Sequence, residues 1–129
     1  MTTELYYLTL VTLLTAVLWV PYVLNLIIVR GLLDAVGYPD NPTPLAAWAA
    51  RTKMGHYNAI ENLVIFAVLV LVIQLAELNN EATALACTVY FWARLVHIVS
   101  YSFAVPWIRT FAFVAGFVCQ ITLVVQILS

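Results

Sequence analysis

Ionisable and amide side chains recur at helical spacing in the middle of this sequence. At 100° per residue, one stripe of a helix holds Arg51, Gly55, Asn58 and Asn62, with Glu61 at its edge. Guanidinium, amide and carboxylate groups on one face can bind a polar ligand, because arginine presents a fork that matches carboxylate or phosphate. The pattern predicts a polar face on an otherwise apolar helix.

A second polar stripe follows further along the chain. It consists of Tyr90, Arg94, His97 and Tyr101, at positions i, i+4, i+7 and i+11. Two interpretations of His97 stay open: a neutral histidine hydrogen-bonded within a helix bundle, or a general base. Two such stripes in one short chain indicate that the residues share a function or a layer of the structure.

The elements that position these stripes are predicted to be membrane spans. The chain has 129 residues, of which 65% are hydrophobic and only 9% charged, and its mean hydropathy is +1.03. Soluble domains average about 25% charged residues, so this chain cannot build a water-facing surface. A net charge of −1 provides no basic patch for nucleic acid. Cys87 and Cys119 lie in apolar runs without a CxxC spacing, which favours packing thiols over a disulfide or a metal site.

Since a span needs about 20 mostly apolar residues, spans are predicted at residues 5–29, 45–76, 82–103 and 107–128. The first loop contains two glycines and three prolines and is predicted to be irregular. The other two connections are short, so their flanking helices should pack antiparallel. The N-terminus lacks a basic n-region and is interpreted as part of the first span. The expected fold is an all-α membrane protein, a single four-transmembrane-helix bundle over residues 1–129.

The orientation follows from the basic residues. Arg30, Arg51 and Lys53 flank the first loop and Arg109 flanks the third, whereas the second loop has no base. By the positive-inside rule the first and third loops should be cytoplasmic and both termini outside.

The two polar stripes are predicted to lie at the same depth in the membrane. Glu61 and Arg94 each lie roughly 15 Å from the cytoplasmic side at about 1.5 Å per residue. One interpretation is a buried Glu61–Arg94 ion pair that only sets the helix register. The other is a site for an anion, because Arg30, Arg51, Arg94 and Arg109 outnumber the one intramembrane acid. For the outer arginines, contact with lipid headgroups is a rival explanation.

Two strings resemble the MAPEG family (membrane-associated proteins in eicosanoid and glutathione metabolism), in its bacterial type. RTKMGHYNAIEN (51–62) is similar to that family's second helix, with Arg followed by Asn-x-x-Glu. ARLVHIVSYSFAVPWIRT (93–110) is similar to its third helix and the start of its fourth. The similarity extends over essentially the whole chain in length, span count and loop pattern.

The resemblance implies a homotrimer that binds glutathione as co-substrate between subunits, near the cytosolic side of a bacterial inner membrane. It also implies that Arg109 holds the glutathione thiolate and that Thr110 assists it. The implied glutathione-binding residues are Arg30, Arg51, Asn58, Glu61, Arg94, His97 and Tyr101. The chain departs from the pattern of some members at Met54, Tyr57 and Phe113.

The expected function is that of a glutathione-dependent transferase or peroxidase acting on a lipophilic electrophile or hydroperoxide. The expected partners are further copies of the chain, membrane lipids and a lipophilic small molecule, with no nucleic acid and no metal. A non-enzymatic binding or scaffold protein, with a polar layer for assembly or anionic lipid, is the alternative. A small carrier is a third reading, disfavoured because the chain has no inverted repeat.

Overall fold

The structure, a computed structural model, describes residues 1–129 and is entirely helical. Its elements are α1 (Thr3–Val17), α2 (Trp19–Arg30), α3 (Leu32–Val36), α4 (Ala47–Leu75), α5 (Glu81–Ser102) and α6 (Pro106–Leu128). α1 and α2 together form one apolar stretch of 28 residues, and α4, α5 and α6 are each long and apolar enough to cross a membrane. The prediction of an all-α protein with four transmembrane helices is confirmed.

The first span bends where proline requires it. Pro21 has no N–H, and its ring clashes with the carbonyl of the fourth preceding residue, which is Val17. α1 ends at Val17, and Leu18 keeps right-handed helical dihedral angles (φ −66°, ψ −18°) between the two segments. The chain therefore continues across the membrane as one span with a local break.

The first loop is more ordered than its glycines and prolines indicate. Gly31 has φ +76°, a conformation open to glycine, and the chain then forms the five-residue helix α3, which the sequence analysis did not foresee. Two hydrogen bonds hold the rest of the loop against α2. Arg30 Nε donates to the carbonyl of Thr43 at 2.7 Å, and the backbone N–H of Ala46 donates to Asn25 Oδ1 at 3.0 Å. Asn25 thus caps the start of α4.

α5 occupies the centre of the bundle, because it packs against α1, α4 and α6. In the half of the bundle away from the first loop, these helices enclose an apolar core that includes both cysteines as free thiols. The rings of Phe66 and Tyr90 stack there with centroids 3.8 Å apart and planes 9° from parallel. This core joins α4 to α5 and sets the level of the polar residues that follow Tyr90.

A buried acid fastens the first helix to α5 at the end of the bundle opposite the first loop. The Glu4 side chain is 2% exposed, and its carboxylate accepts a hydrogen bond from the hydroxyl of Thr83, which is fully buried. The same hydroxyl bonds the backbone of Asn80, the residue that caps α5. Sequence analysis gave Glu4 no role, since a lone acid near a terminus resembles a solvated one.

We expect Thr83→Val to lower the free energy of unfolding by about 1–3 kcal/mol, because it leaves the Glu4 carboxylate buried without its partner and removes the hydroxyl that bonds Asn80. The matched control is Thr88→Val, since the Thr88 hydroxyl bonds only the Ala84 carbonyl of its own helix at 2.8 Å. Unfolding in mixed micelles by titration with sodium dodecyl sulfate measures both. Equal losses in the two variants would contradict the assigned role of the Glu4–Thr83 bond.

Candidate functional site

The Arg94 guanidinium is buried in the half of the bundle nearer the first loop. The side chain is 3% exposed, and its Nη2 donates to Asn58 Oδ1 of α4 at 2.8 Å. Its Nε has no hydrogen-bond partner. Within the chain, therefore, Arg94 is paired with a neutral amide and not with Glu61, and the buried ion pair that the sequence left open does not form.

A series of hydrogen bonds from two other amide side chains holds Asn58 in place. Asn62 Nδ2 donates to the carbonyl of Asn58 at 2.9 Å and to Asn58 Oδ1 at 3.3 Å. Gln120 Nε2 of α6 donates in turn to the carbonyl of Asn62 at 3.3 Å. Sequence analysis placed Asn62 on the polar stripe without assigning it to the site, although its spacing of four residues from Asn58 is the signal that could have done so.

Close approach of α4 and α5 makes the Arg94–Asn58 bond possible. At Gly55, one turn before Asn58, an added Cβ would lie 2.6 Å from Ile98 Cδ1 and 3.5 Å from Tyr101 Cγ. Small residues let transmembrane helices pack backbone to side chain at short distance. The absence of a side chain at Gly55 thus allows the short distance between the two polar stripes.

Next to the Arg94–Asn58 bond, helices α4, α5 and α6 border a cavity of about 210 Å³, which we refer to as the polar cavity. α4 contributes one residue, and α5 and α6 contribute the rest. Its lining consists of Asn58, His97, Tyr101, Arg109, Thr110 and Phe113. Five of the nine residues that the sequence nominated for the site therefore meet at one place.

Arg109 is the cation of this cavity. Its guanidinium carbon lies 5.0 Å from the centroid of the Tyr101 ring, an attractive cation–π geometry. No hydrogen bond within the chain engages its N–H groups, so these remain available to a ligand. The hydroxyl of the adjacent Thr110 donates to the Pro106 carbonyl of its own helix at 2.9 Å.

His97 forms the inner wall of the cavity between two rings. It is 2% exposed, and its ring centroid lies 5.6 Å from that of Tyr101 and 6.1 Å from that of Phe113. Its Nδ1 has no partner in the chain. α5 thus carries two buried nitrogens without a partner, Arg94 Nε and His97 Nδ1, and of these two residues His97 lines the cavity.

The remaining nominated residues lie outside the cavity. Arg51 Nε donates to the Ser102 carbonyl at 3.0 Å and so satisfies the end of α5, and Arg30 holds the first loop through Thr43. Glu61 is exposed on the outer surface of α4 and makes no hydrogen bond within the chain. Within the chain these three residues therefore lie apart from the five that line the cavity and from Arg94.

The arrangement fits a ligand that accepts hydrogen bonds and carries negative charge. Two guanidinium groups, an amide, an imidazole and two hydroxyl groups lie in or beside the cavity, and no carboxylate lines it. Arginine binds carboxylates with paired N–H···O bonds that are shorter and stronger than neutral ones. No cluster of three or more His, Cys, Asp or Glu could hold a metal ion.

Comparison with known proteins gives one result. The sequence model described as the MAPEG family matches residues 9–129, which is nearly the whole chain. No curated protein and no solved structure matches the chain significantly.

We expect Gly55→Ala to destabilise the protein by about 1–3 kcal/mol, because the new methyl group overpacks the α4–α5 contact. The far end of Ile98 is the atom it meets first. Ile98→Val removes that atom, so the double variant should recover most of the loss, which unfolding titrations of the four chains would measure as a coupling energy. Strictly additive effects would show that Gly55 and Ile98 do not limit the approach of the helices.

Proposed function

The chain belongs to the MAPEG family, and from this premise we propose that it is a membrane-bound, glutathione-dependent transferase or peroxidase acting on a lipophilic electrophile or hydroperoxide. Membership makes it an integral membrane protein of a family associated with glutathione.

The observation that carries the proposal is the unneutralised charge at the polar cavity. Arg94 is buried with an unpartnered Nε, and Arg109 lines the cavity without any hydrogen bond to the chain. A buried cation without a counter-charge is costly in a membrane protein. Glutathione supplies two carboxylates and a thiolate, which would offset that cost.

We further propose that the working unit is a homotrimer with glutathione bound between subunits. Glu61 lies at the midpoint of α4, about 21 Å from either end at 1.5 Å per residue, and it is exposed. An unpaired carboxylate cannot face lipid at that depth without a large cost. The polar cavity of about 210 Å³ is also smaller than the roughly 300–1,000 Å³ of typical small-molecule sites. A neighbouring subunit that covers Glu61 and enlarges the cavity would resolve both points.

In this assembly the glutathione-binding residues act from two subunits. Arg94, Asn58, His97 and Tyr101 would engage the tripeptide from the side of the cavity. Glu61 of the facing α4 would accept the ammonium group, and Arg51 and Arg30 would approach the carboxylates at the cytoplasmic edge. The last two arginines already donate to backbone carbonyls through Nε, so each would use its terminal nitrogens for the ligand.

The chemistry proposed for Arg109 is stabilisation of the thiolate. A free thiol has a pKa of about 8.5, and a neighbouring cation lowers it. Arg109 lies in the first turn of α6, where the positive end of the helix adds to its charge. With an electrophile, a sulfur–carbon bond forms as the leaving group departs with the bonding electrons. With a hydroperoxide, the thiolate attacks the distal oxygen and the O–O bond breaks, giving a sulfenic acid and an alkoxide that takes up the proton released when the thiol ionised. The thiol of a second glutathione then attacks the sulfenic sulfur, giving the disulfide and water.

The lipophilic substrate would reach the thiolate through the bilayer. Phe113 lines the polar cavity and is 40% exposed on the outer surface of α6, next to the exposed Val114 and Phe117. An apolar wall shared by the cavity and the lipid lets a membrane-dissolved electrophile meet a thiolate held by polar groups. We propose that this cavity faces the cytoplasm, with both termini outside, in a bacterial inner membrane.

We expect Arg109→Ala to leave the affinity for glutathione nearly unchanged and to lower the conjugation rate by about 10²–10³-fold, the usual cost of removing one group that stabilises developing charge. Arg109→Lys, which retains the charge, should recover part of the rate. Thr110→Val should cost less, because the Thr110 hydroxyl already donates to Pro106. Calorimetric binding and single-turnover kinetics separate the two quantities, and equal losses in affinity and rate would assign Arg109 to binding.

A non-enzymatic scaffold is the second candidate, favoured by the backbone bonds of Arg30 and Arg51, which serve architecture. We expect glutathione to raise the free energy of unfolding with the logarithm of its concentration above the dissociation constant, by about 2.7 kcal/mol at a hundred times that constant. The increase should vanish in Arg94→Gln and persist in Lys53→Gln, a cation placed over the Tyr57 ring outside the cavity. No response of the wild-type chain to millimolar glutathione would favour the scaffold.

A further inference from the structure

The first loop carries large apolar side chains that nothing in the chain covers. Leu33 is 85% exposed, Val36 71%, Leu32 61% and Tyr38 fully exposed. Three of these lie on α3, and at 100° per residue Leu32, Val36 and Leu33 occupy one 100° sector while Asp34 lies opposite. The short helix is therefore amphipathic, with its apolar side outward.

Two hydrogen bonds hold the end of the first loop beside the last turns of α2. Asn25, which caps the start of α4, lies five residues before the end of α2, or about 7.5 Å along the helix. The chain thus leaves α2 at Arg30 and begins α4 at a level about 7.5 Å back along α2. Arg30 also holds Thr43, so the end of the loop returns along the last turns of the span.

The first span also exposes apolar side chains next to α3. Leu24 is 55% exposed and Ile28 80% exposed on α2, the helix that ends just before α3 begins. Gly31, with its positive φ, interrupts the helical path between α2 and α3. Because α2 belongs to a stretch long and apolar enough to cross a membrane, the short helix that follows its end is expected near the surface of the bilayer.

We propose that the segment Leu32–Tyr38 is an interfacial foot, which inserts Leu32, Leu33 and Val36 among the upper acyl chains and holds Tyr38 at the headgroups. Amphipathic helices in the interface bury their apolar side in this way, and tyrosine is enriched at that depth. Asp34, on the other side of α3, faces water. This assignment is independent of the proposed enzymatic activity.

Fluorescence quenching in vesicles tests the foot. Leu33→Cys carries a bimane label in phosphatidylcholine vesicles, and Asp40→Cys, an exposed polar position in the same loop, is the matched control. Cys87 and Cys119 are buried, so the wild-type chain taken through the labelling serves as the blank. We expect lipid with a nitroxide at carbon 5 to quench the Leu33 label several-fold more than the Asp40 label. Aqueous iodide should show the reverse order.

Two other results would each overturn the proposal. Iodide quenching of the Leu33 label as strong as that of the Asp40 label would place α3 in water. Protection of the Leu33 label from both quenchers would show that a second copy of the chain covers α3. Val36→Cys, on the same side of the helix, repeats the measurement should the first variant label poorly, and it must agree with Leu33→Cys.

Discussion

The structure depends on keeping one guanidinium group inside an apolar bundle. Arginine stays charged in proteins and has five N–H donors to satisfy. Arg94 lies on α5, the helix that packs against α1, α4 and α6, so lipid headgroups cannot reach it. One of its donors is satisfied by the Asn58 amide, which depends on Asn62 and, through the backbone, on Gln120. The separation of α4 from α5, the glycine that sets it and the shape of the polar cavity all follow from this requirement.

A neutral amide is a weaker partner for Arg94 than a carboxylate, and this choice has a consequence. A chain that paired Arg94 with Glu61 would have neutralised its own site. With Asn58 as the partner, the charge of Arg94 is not neutralised, and Arg109 adds a second positive charge at the cavity. The cavity is thus suited to an anion that the chain itself does not supply, and Glu61 makes no hydrogen bond within the chain.

The level of each polar residue along the membrane could be predicted from the sequence, but its partner could not. Helical period and antiparallel packing brought Asn58, His97, Tyr101 and Arg109 to one layer, and the structure places all four at one cavity. Glu61 lies at the same level, but at the edge of the stripe, about 60° round the helix from Asn58 on the side away from Gly55, and it is exposed on the outer surface. The bonds of Arg30 and Arg51 go to backbone carbonyls, which no pattern of side chains reveals. α3 was missed because five residues between two glycines are too short to show a helical period.

Each end of the bundle buries one charged side chain, and in both cases the hydrogen-bond partner is an uncharged group. Glu4 is held by a hydroxyl group and Arg94 by an amide, and in neither case does an opposite charge take part. The apolar core around Phe66 and Tyr90 lies between them, so the acid and the cation cannot neutralise each other within the chain. At the Glu4 end the same hydroxyl also bonds Asn80, the residue that caps α5. At the Arg94 end the partner amide of Asn58 lines the polar cavity together with Arg109. A neutral partner for a buried charge is therefore part of a structural contact at one end and of a candidate binding site at the other.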